Sequence, residues 1–363
     1  MTTSVLIDAR ELSGESSASG VGTVIRGLLE GLARRDDIDV RAIATPDLRL
    51  PEGIAPVPVR RFATSGGRRA VVEHEVLLPF DLRRDDADVF HNPLFHPPWR
   101  VDRPWVQTLY DVIPLVFDDP NLDVLRKRWR RFAPRYRKAD VVAAISRHAA
   151  DEGRRLLDLD PKRLEVIPLA VDSRYRPGPG LADDDGPPYL LLVSEYSRRK
   201  GFADAFRVVA ALADAGYPHH LRVAGRVPPQ VAGELDALVM AADRPDRIQV
   251  LGFVPDLVGL YQGAAAVLVP SRYEGFGLPA LEGMASGVPV VAYDNSSLPE
   301  VVGEGGLLVA DGDTDALLAA TRRVLDEASL AEELRERGPA RAATFTWDAV
   351  ADAYTGLYER VAR

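Results

Sequence analysis

Short apolar runs of strand length alternate with longer amphipathic stretches through nearly all of this 363-residue chain, and that rhythm limits the folds open to it. In the first half the candidate strands are Ser4–Asp8, Val40–Ala44, Val89–His91, Val106–Tyr110, Val141–Ile145 and Glu165–Ile167. In the second half they are Tyr189–Val193, His220–Ala224, Ile248–Leu251, Ala265–Val269, Val288–Ala292 and Gly306–Val309. Amphipathic stretches such as Gly22–Arg35 and Gly201–Ala215 lie between many of them. Such alternation predicts βαβ units, with parallel sheets covered by helices on both faces.

Residues Asp172–Pro188, DSRYRPGPGLADDDGPP, carry no apolar periodicity and are rich in Pro, Gly and Asp, the composition of a linker. The expected architecture is therefore α/β, with Rossmann-like domains over 1–171 and 189–347. The acidic run Asp183–Asp185 reads as solvated linker charge and not as a metal motif. The last pattern, Trp347–Val361, places Val350, Tyr354 and Leu357 on one helical face, so residues 348–363 can pack on either domain. Open α/β sheets bind ligands beyond the carboxyl ends of their strands. Two of them facing across a cleft suit a reaction between two substrates, one held by each domain.

Composition narrows the function. The chain has no cysteine, which excludes disulfides, thiolate metal sites and cysteine nucleophiles and suits a reducing cytosol. The N-terminal MTTSVLIDARELSG has no basic segment followed by an apolar run, and no stretch approaches the ~18 apolar residues of a membrane span. A cytoplasmic location is expected. Net charge is +1 over residues 1–175 and −10 over the remainder. So acidic a half is a poor binder of nucleic acid, whose affinity comes mostly from phosphate neutralisation.

The most informative segment runs from Ala264 to Gly303. An apolar strand ends at Pro270, and a loop over Ser271–Gly277 turns into a helix with Pro279 in its first turn. Gly275 and Gly277 let the backbone approach a ligand. The N–H groups from Gly275 through Phe276 and Gly277 to Leu278 point out of the helix mouth, which favours anionic or hydroxyl-rich partners. Glu274 in the loop and Glu282 a turn into the helix supply two carboxylates, good acceptors for vicinal hydroxyls. A second element, Ser194-Glu-Tyr-Ser-Arg198-Arg199-Lys200-Gly201, follows the first strand of the second half and opens a helix. A diphosphate leaving group needs positive charge, and Arg199 and Lys200 can supply it, Arg as a fork and Lys as a point charge.

The block Glu274-Gly-Phe-Gly-Leu-Pro-Ala-Leu-Glu282 resembles the E-x7-E signature of retaining glycosyltransferases of the GT-B fold, in particular family 4. The resemblance extends over nearly the whole chain, through IDAREL, SGVGTVIRGLLEGLARR, ISRHAADEGRRLL, LGFVPD and SSLPEVVGEGGLLV. It implies that Glu274 and the backbone after it bind the donor sugar and that Glu282 binds the nucleotide ribose. It also implies that Phe253 and Val254 line the base, with Arg226 in the same donor group. Many relatives carry an Arg at the position of Ser194, so this chain relies on Arg198 or Arg199 instead. The family's usual mechanism has the acceptor hydroxyl attack from the face that the diphosphate leaves.

In the first half, Gly20-Val-Gly22 precedes an amphipathic helix. It is an incomplete dinucleotide fingerprint, lacking the third glycine. In relatives this loop lies beside the donor phosphates, which places Gly22 with the donor and Gly20 with the acceptor. In VQTLYDVIP, Tyr110-Asp111 stands where many relatives have His-Asp. Tyr110 can donate a hydrogen bond but does not titrate near neutral pH, and Asp111 can orient an acceptor hydroxyl. His91 and His96, in HNPLFHPPW, are expected to shape the acceptor pocket.

Arg126–Lys138 has eight basic residues in thirteen, with Trp129, Phe132 and Tyr136 at helical spacing and Pro134 interrupting them. Two readings stay open: a peripheral contact with an anionic membrane, or a surface helix with solvated charges. The expected function is metal-independent, retaining transfer from a nucleotide-sugar donor to a hydroxyl acceptor, without a cofactor. The alternatives are a nucleotide-sugar-binding protein without transferase activity and an NAD-dependent oxidoreductase. No Gly-x4-Gly-Lys-Ser/Thr occurs, which excludes a P-loop nucleotidase.

Overall fold

The computed structural model describes residues 2–12, 20–45, 48–58, 77–180 and 186–363. Asp183–Asp185 and Ser19 lie outside them. The chain divides into two compact units: Met1–Ala170 together with Thr346–Arg363, and Val171–Phe345.

The sheet of the first unit contains β1 (Thr3–Asp8), β2 (Ile38–Ala44), β3 (Ala55–Pro58), β4 (Val89–Asn92), β5 (Trp105–Leu109), β6 (Val141–Ala144) and β7 (Leu164–Val166). All are parallel, in the order β3-β2-β1-β4-β5-β6-β7. Every strand expected from the sequence is present within two residues at either end. β3 was not expected: it reads Ala-Pro-Val-Pro, and proline is tolerated there because the strand is an edge that pairs with β2 alone.

The helix Trp347–Val361 belongs to this unit. Thr346 caps it, accepting from the Ala349 N–H. Its Val350, Ala351, Tyr354, Leu357 and Tyr358 join Ile25, Leu28, Leu29 and Leu32 of the helix Gly20–Ala33 in one core. Each such Val or Leu contributes about 1.5–3 kcal/mol by leaving water. The two helices approach closely because Gly27 and Gly31 have no side chain: a Cβ on either would overlap Trp347.

His91, expected in the acceptor pocket, is instead fully buried in this core. Nδ1 lies 2.7 Å from the Tyr358 hydroxyl and Nε2 lies 2.9 Å from Thr108 Oγ1. Burial pushes its pKa down to about 3 from an ordinary 6.5, so it folds neutral. Between those values the unfolded chain binds the extra proton, so the stability this group contributes is present above pH 6.5 and falls as pH drops. Urea unfolding should show a slope of about 1.4 kcal/mol per pH unit between roughly pH 6 and pH 4 that a His91→Asn variant lacks. Equal slopes in the two proteins would contradict the neutral, buried assignment.

The sheet of the second unit contains β8 (Tyr189–Val193), β9 (His220–Ala224), β10 (Ile248–Gly252), β11 (Ala266–Val269), β12 (Val290–Asp294) and β13 (Leu307–Ala310), again all parallel. Their order is β10-β9-β8-β11-β12-β13. The helices Phe202–Asp214 and Thr314–Asp326 cover one face with Phe206, Val209, Leu317 and Val324. From β8 the chain winds outward through β9 and β10, then returns to β11 on the other side of β8. β8 and β11 are thus the neighbours at which the strand order reverses, the place where open α/β sheets bind ligands. The segment read as a linker begins with packed structure: Gln262 Nε2 donates to the Arg176 carbonyl at 2.7 Å, and Pro177 lies against Gly287.

Candidate active site

The loops beyond β8 and β11 bring Arg199, Lys200 and Glu274 together. After β8 the chain makes a 3-10 turn, Arg198–Lys200, before the helix Phe202–Asp214. After β11 it runs through Ser271–Gly277 into the helix Leu278–Ala285. The two loops are tied together. The Arg272 N–H donates to the Arg199 carbonyl at 2.7 Å, and Arg199 Nη1 donates to the Tyr273 carbonyl at 2.8 Å. Lys200 Nζ donates to Glu274 Oε1 at 2.6 Å, with both side chains buried. Gly201 permits this approach. Its φ is +67°, and a Cβ there would overlap the Pro270 carbonyl oxygen.

Burial opposes ionisation of Glu274, but Lys200 and Arg199 more than offset it, so its carboxyl titrates below the ordinary range. The site thus holds an ion pair with a second cation, Arg199 Nη1, 3.8 Å from the other carboxylate oxygen. A third loop, after β12, supports it. Ser296 Oγ accepts from the Glu274 N–H at 2.9 Å. The Ser297 hydroxyl lies 2.9 Å from the Glu274 carbonyl and 2.8 Å from that of Phe276. Gly277, with φ +104°, then turns the chain into the helix. Gly275 and Leu278 remain partly exposed at the mouth, while Phe276 is buried edge-on against Phe345.

The supporting role of Ser296 and Ser297 was not read from the sequence, although they stand in the SSLPEVVG motif. Nor was Asp204, a buried carboxylate that accepts from Arg272 at 2.8 Å, Tyr293 at 3.0 Å and Thr314 at 3.1 Å, fixing the base of the Ser271–Gly277 loop.

Glu282 is on the first turns of its helix and half-buried. Tyr261 donates its hydroxyl to Oε2 at 2.8 Å. Burial pushes the Glu282 carboxyl up to about 7, against the hydrogen bonds of Tyr261 and Tyr175 and the charge of Arg174. Arg198 forks onto Glu234 at 2.8 and 3.2 Å, whereas Arg199 and Lys200 face Glu274. The Ser194 hydroxyl donates to the Glu195 carbonyl. Phe253 is 54% exposed, with the Arg226 guanidinium 6.0 Å from its ring centre and Val254 half-buried beside it.

In the first unit Gly20 and Gly22 form the first turn of the helix Gly20–Ala33, not a loop before it, with Gly20 exposed and Gly22 buried. Tyr110 is buried against Phe95, and its hydroxyl donates to the Pro93 carbonyl at 2.9 Å. The hydroxyl that the sequence offers as a hydrogen-bond donor to the sugar is thus directed at a backbone carbonyl of its own unit. Asp111 Oδ1 accepts from the Ile113 N–H at 3.0 Å, and its half-buried carboxylate opens a short helix. His96 stands edge-on to Phe132 at 4.8 Å.

The basic segment is a helix, Asp123–Tyr136, that runs through Pro134 without a break. Proline sits in its last turn, where Pro134 and Arg130 are exposed and water can take the unused carbonyl. Trp129 and Tyr136 stack at 5.5 Å and are buried, while Lys127, Arg128, Arg130 and Arg131 are exposed. Among the described residues no helix is long and apolar enough to cross a membrane, and no group of three or more His, Cys, Asp or Glu is placed to hold a metal ion.

Comparison with known proteins decides the family. Residues 179–341 match the family Glycosyl transferases group 1, and residues 18–175 match Glycosyltransferase Family 4. The O-antigen chain mannosyltransferase B of Escherichia coli is 33% identical over 279 residues, covering 73% of this chain and 72% of that protein. This chain is a family 4 glycosyltransferase. The α-(1→4)-mannosyltransferase of Mycolicibacterium hassiacum is 30% identical to the glycosyltransferase over 65% of the present chain, and the match spans 59% of that relative. Among solved structures, sucrose-phosphate synthase from Thermosynechococcus elongatus superposes with a TM-score of 0.81 over 99% of both chains at 21% identity. Anabaena HepE, solved with UDP and glucose, superposes at 0.72 over 99% of this chain and all of its own, at 17% identity. These likenesses establish the GT-B fold of the glycosyltransferase.

Proposed function

We propose that this glycosyltransferase moves a sugar from a nucleotide diphosphate-sugar to a hydroxyl acceptor with retention of anomeric configuration, using the crevice beyond β8 and β11 as its donor site. The observation that carries the reading is the meeting of Lys200, Arg199 and Glu274 at the switch point of a parallel sheet. Lys200 and Arg199 face the donor phosphates and stabilise the charge that develops as the glycosidic bond breaks. Glu274 and the backbone N–H groups from Gly275 to Leu278 hold the transferred sugar, and Glu282 holds the ribose. Phe253, Val254 and Arg226 face the base. The acceptor hydroxyl adds to the anomeric carbon on the face vacated by the diphosphate, and its proton passes to the departing phosphate oxygen. Asp111 orients the acceptor. HepE, crystallised with UDP and glucose, supports the donor class.

Thermal-shift screening against UDP-, GDP-, dTDP- and ADP-sugars is expected to pick out one nucleotide, stabilising the protein by about 2.7 kcal/mol at a hundredfold excess over Kd. With that donor in its α form, the anomeric proton coupling of the product made on a panel of alkyl glycosides should be that of an α-glycoside. A β-product would overturn retention. A donor that binds without any transfer would favour the binding-protein reading, and the absence of binding by every nucleotide sugar would remove the donor site itself.

A further inference from the structure

The segment joining the two units in sequence was read as a linker, yet Tyr175 within it is buried edge-on against Tyr261 at 5.6 Å. Tyr261 belongs to the short helix Val258–Gln262 and is itself fully buried. Its hydroxyl donates to Glu282 Oε2 at 2.8 Å, and the Tyr175 ring packs against the ring that carries this hydroxyl. The helix and the segment are clamped together. Gln262 donates to the Arg176 carbonyl, Gly178 has no room for a Cβ beside Gln262, and Gly180 has none beside Gly263. The first part of the connection is thereby fixed on the second unit, beside Glu282.

We propose that Tyr261, backed by Tyr175 from the connecting segment, is a positioning residue that orients the Glu282 carboxylate for the donor ribose. The proposal rests on that ribose assignment. A carboxylate on a helix with no lateral partner samples several rotamers. One whose Oε2 is held by a buried phenol presents its remaining lone pairs in a fixed direction, which reduces the entropy lost on binding. The Tyr261 phenol donates to the ionised form, so it also favours the charged carboxyl where burial opposes it. The other charged groups acting on it are Arg174, which favours ionisation, and Asp172, which opposes it.

The test uses the full chain, with whichever of UDP, GDP, dTDP or ADP binds the unmodified protein most tightly as probe. Affinity is measured calorimetrically from pH 5.5 to 8.5 for Tyr261→Phe, Tyr175→Phe and Glu282→Ala. Loss of a hydrogen bond to a charged group predicts about tenfold weaker binding in Tyr261→Phe, and a smaller loss in Tyr175→Phe. In the unmodified protein, binding should weaken as pH falls through about 7. In Tyr261→Phe that midpoint should move to higher pH, because the hydrogen bond that favoured the charged form is gone. KM for the donor should rise with kcat little changed. A merely structural tyrosine would not move the pH midpoint. If both phenylalanine variants keep the parental affinity and midpoint while Glu282→Ala loses binding, the positioning role is refuted and the ribose assignment stands. If Glu282→Ala also binds as before, the ribose assignment itself falls. Should Tyr261→Phe fail to fold by circular dichroism, Tyr175→Phe, which removes one hydroxyl from a side chain at the edge of the cluster, carries the same test.

Discussion

Replacing Lys200 by methionine is expected to lower kcat/KM for the nucleotide-sugar donor by about 10²–10³-fold, the usual loss when a preorganised group facing transition-state charge is removed. A second effect accompanies it. Lys200 and Glu274 are both buried and 2.6 Å apart, so removing the cation strands a carboxylate in low dielectric. Breaking a buried pair in this way costs about 3–5 kcal/mol, whereas removing both charges together is often nearly neutral. The double variant Lys200→Met with Glu274→Gln should therefore recover most of the lost stability in urea titrations while remaining inactive. If it stays as unstable as the single variant, the pair is not the source of the loss. If the single variant keeps parental kcat/KM, Lys200 does not face the diphosphate.

A second large effect on stability is expected at Gly201. An alanine there must adopt a left-handed backbone at φ +67° and place its Cβ into the Pro270 carbonyl oxygen. The conformation alone costs about 1–2 kcal/mol. The overlap adds to it, since the neighbour is backbone held between β11 and the next loop and cannot swing aside. A total of about 3 kcal/mol corresponds to a fall in Tm of roughly 6–12 °C. Gly216→Ala is the internal control: its φ is +88°, but nothing lies within 4 Å of the added Cβ. Only the conformational part should appear there. Equal melting temperatures for the two variants would show that the contact with Pro270 does not matter. Since Gly201 lets the β8 and β11 loops meet, its alanine variant should also lose activity beyond its loss of stability.

The strands of both sheets were legible because buried parallel strands are apolar runs bounded by turn residues, a signal that survives without knowledge of tertiary partners. β3 escaped because two prolines in four residues argue against a strand unless it is known to lie at an edge. The site divides in the same way. Glu274, Gly277, Arg199 and Lys200 stand out in the sequence because each follows a recognisable strand end. That Lys200 touches Glu274 was not readable, since they are 74 positions apart in the chain. His91 was assigned to the acceptor pocket because it ends a strand. Its true partner is Tyr358, 267 residues away on a helix whose docking surface could not be deduced from its own pattern. Tyr175 was hidden for a different reason: Pro and Gly mark irregular backbone, and irregular backbone can still be tightly packed.

The return of the helix Trp347–Val361 to the first unit sets the order in which the protein can be assembled. Val171–Phe345 is contiguous and can complete its core as soon as it leaves the ribosome. The other unit must wait, because Val350, Tyr354, Leu357 and Tyr358 fill its interior and follow the whole of Val171–Phe345 in the chain. Until they arrive, the apolar faces of Ile25, Leu28 and Leu29 and the ring nitrogens of His91 lack part of their cover. The apolar face of the helix Gly20–Ala33 therefore stays partly uncovered throughout the synthesis of the second unit.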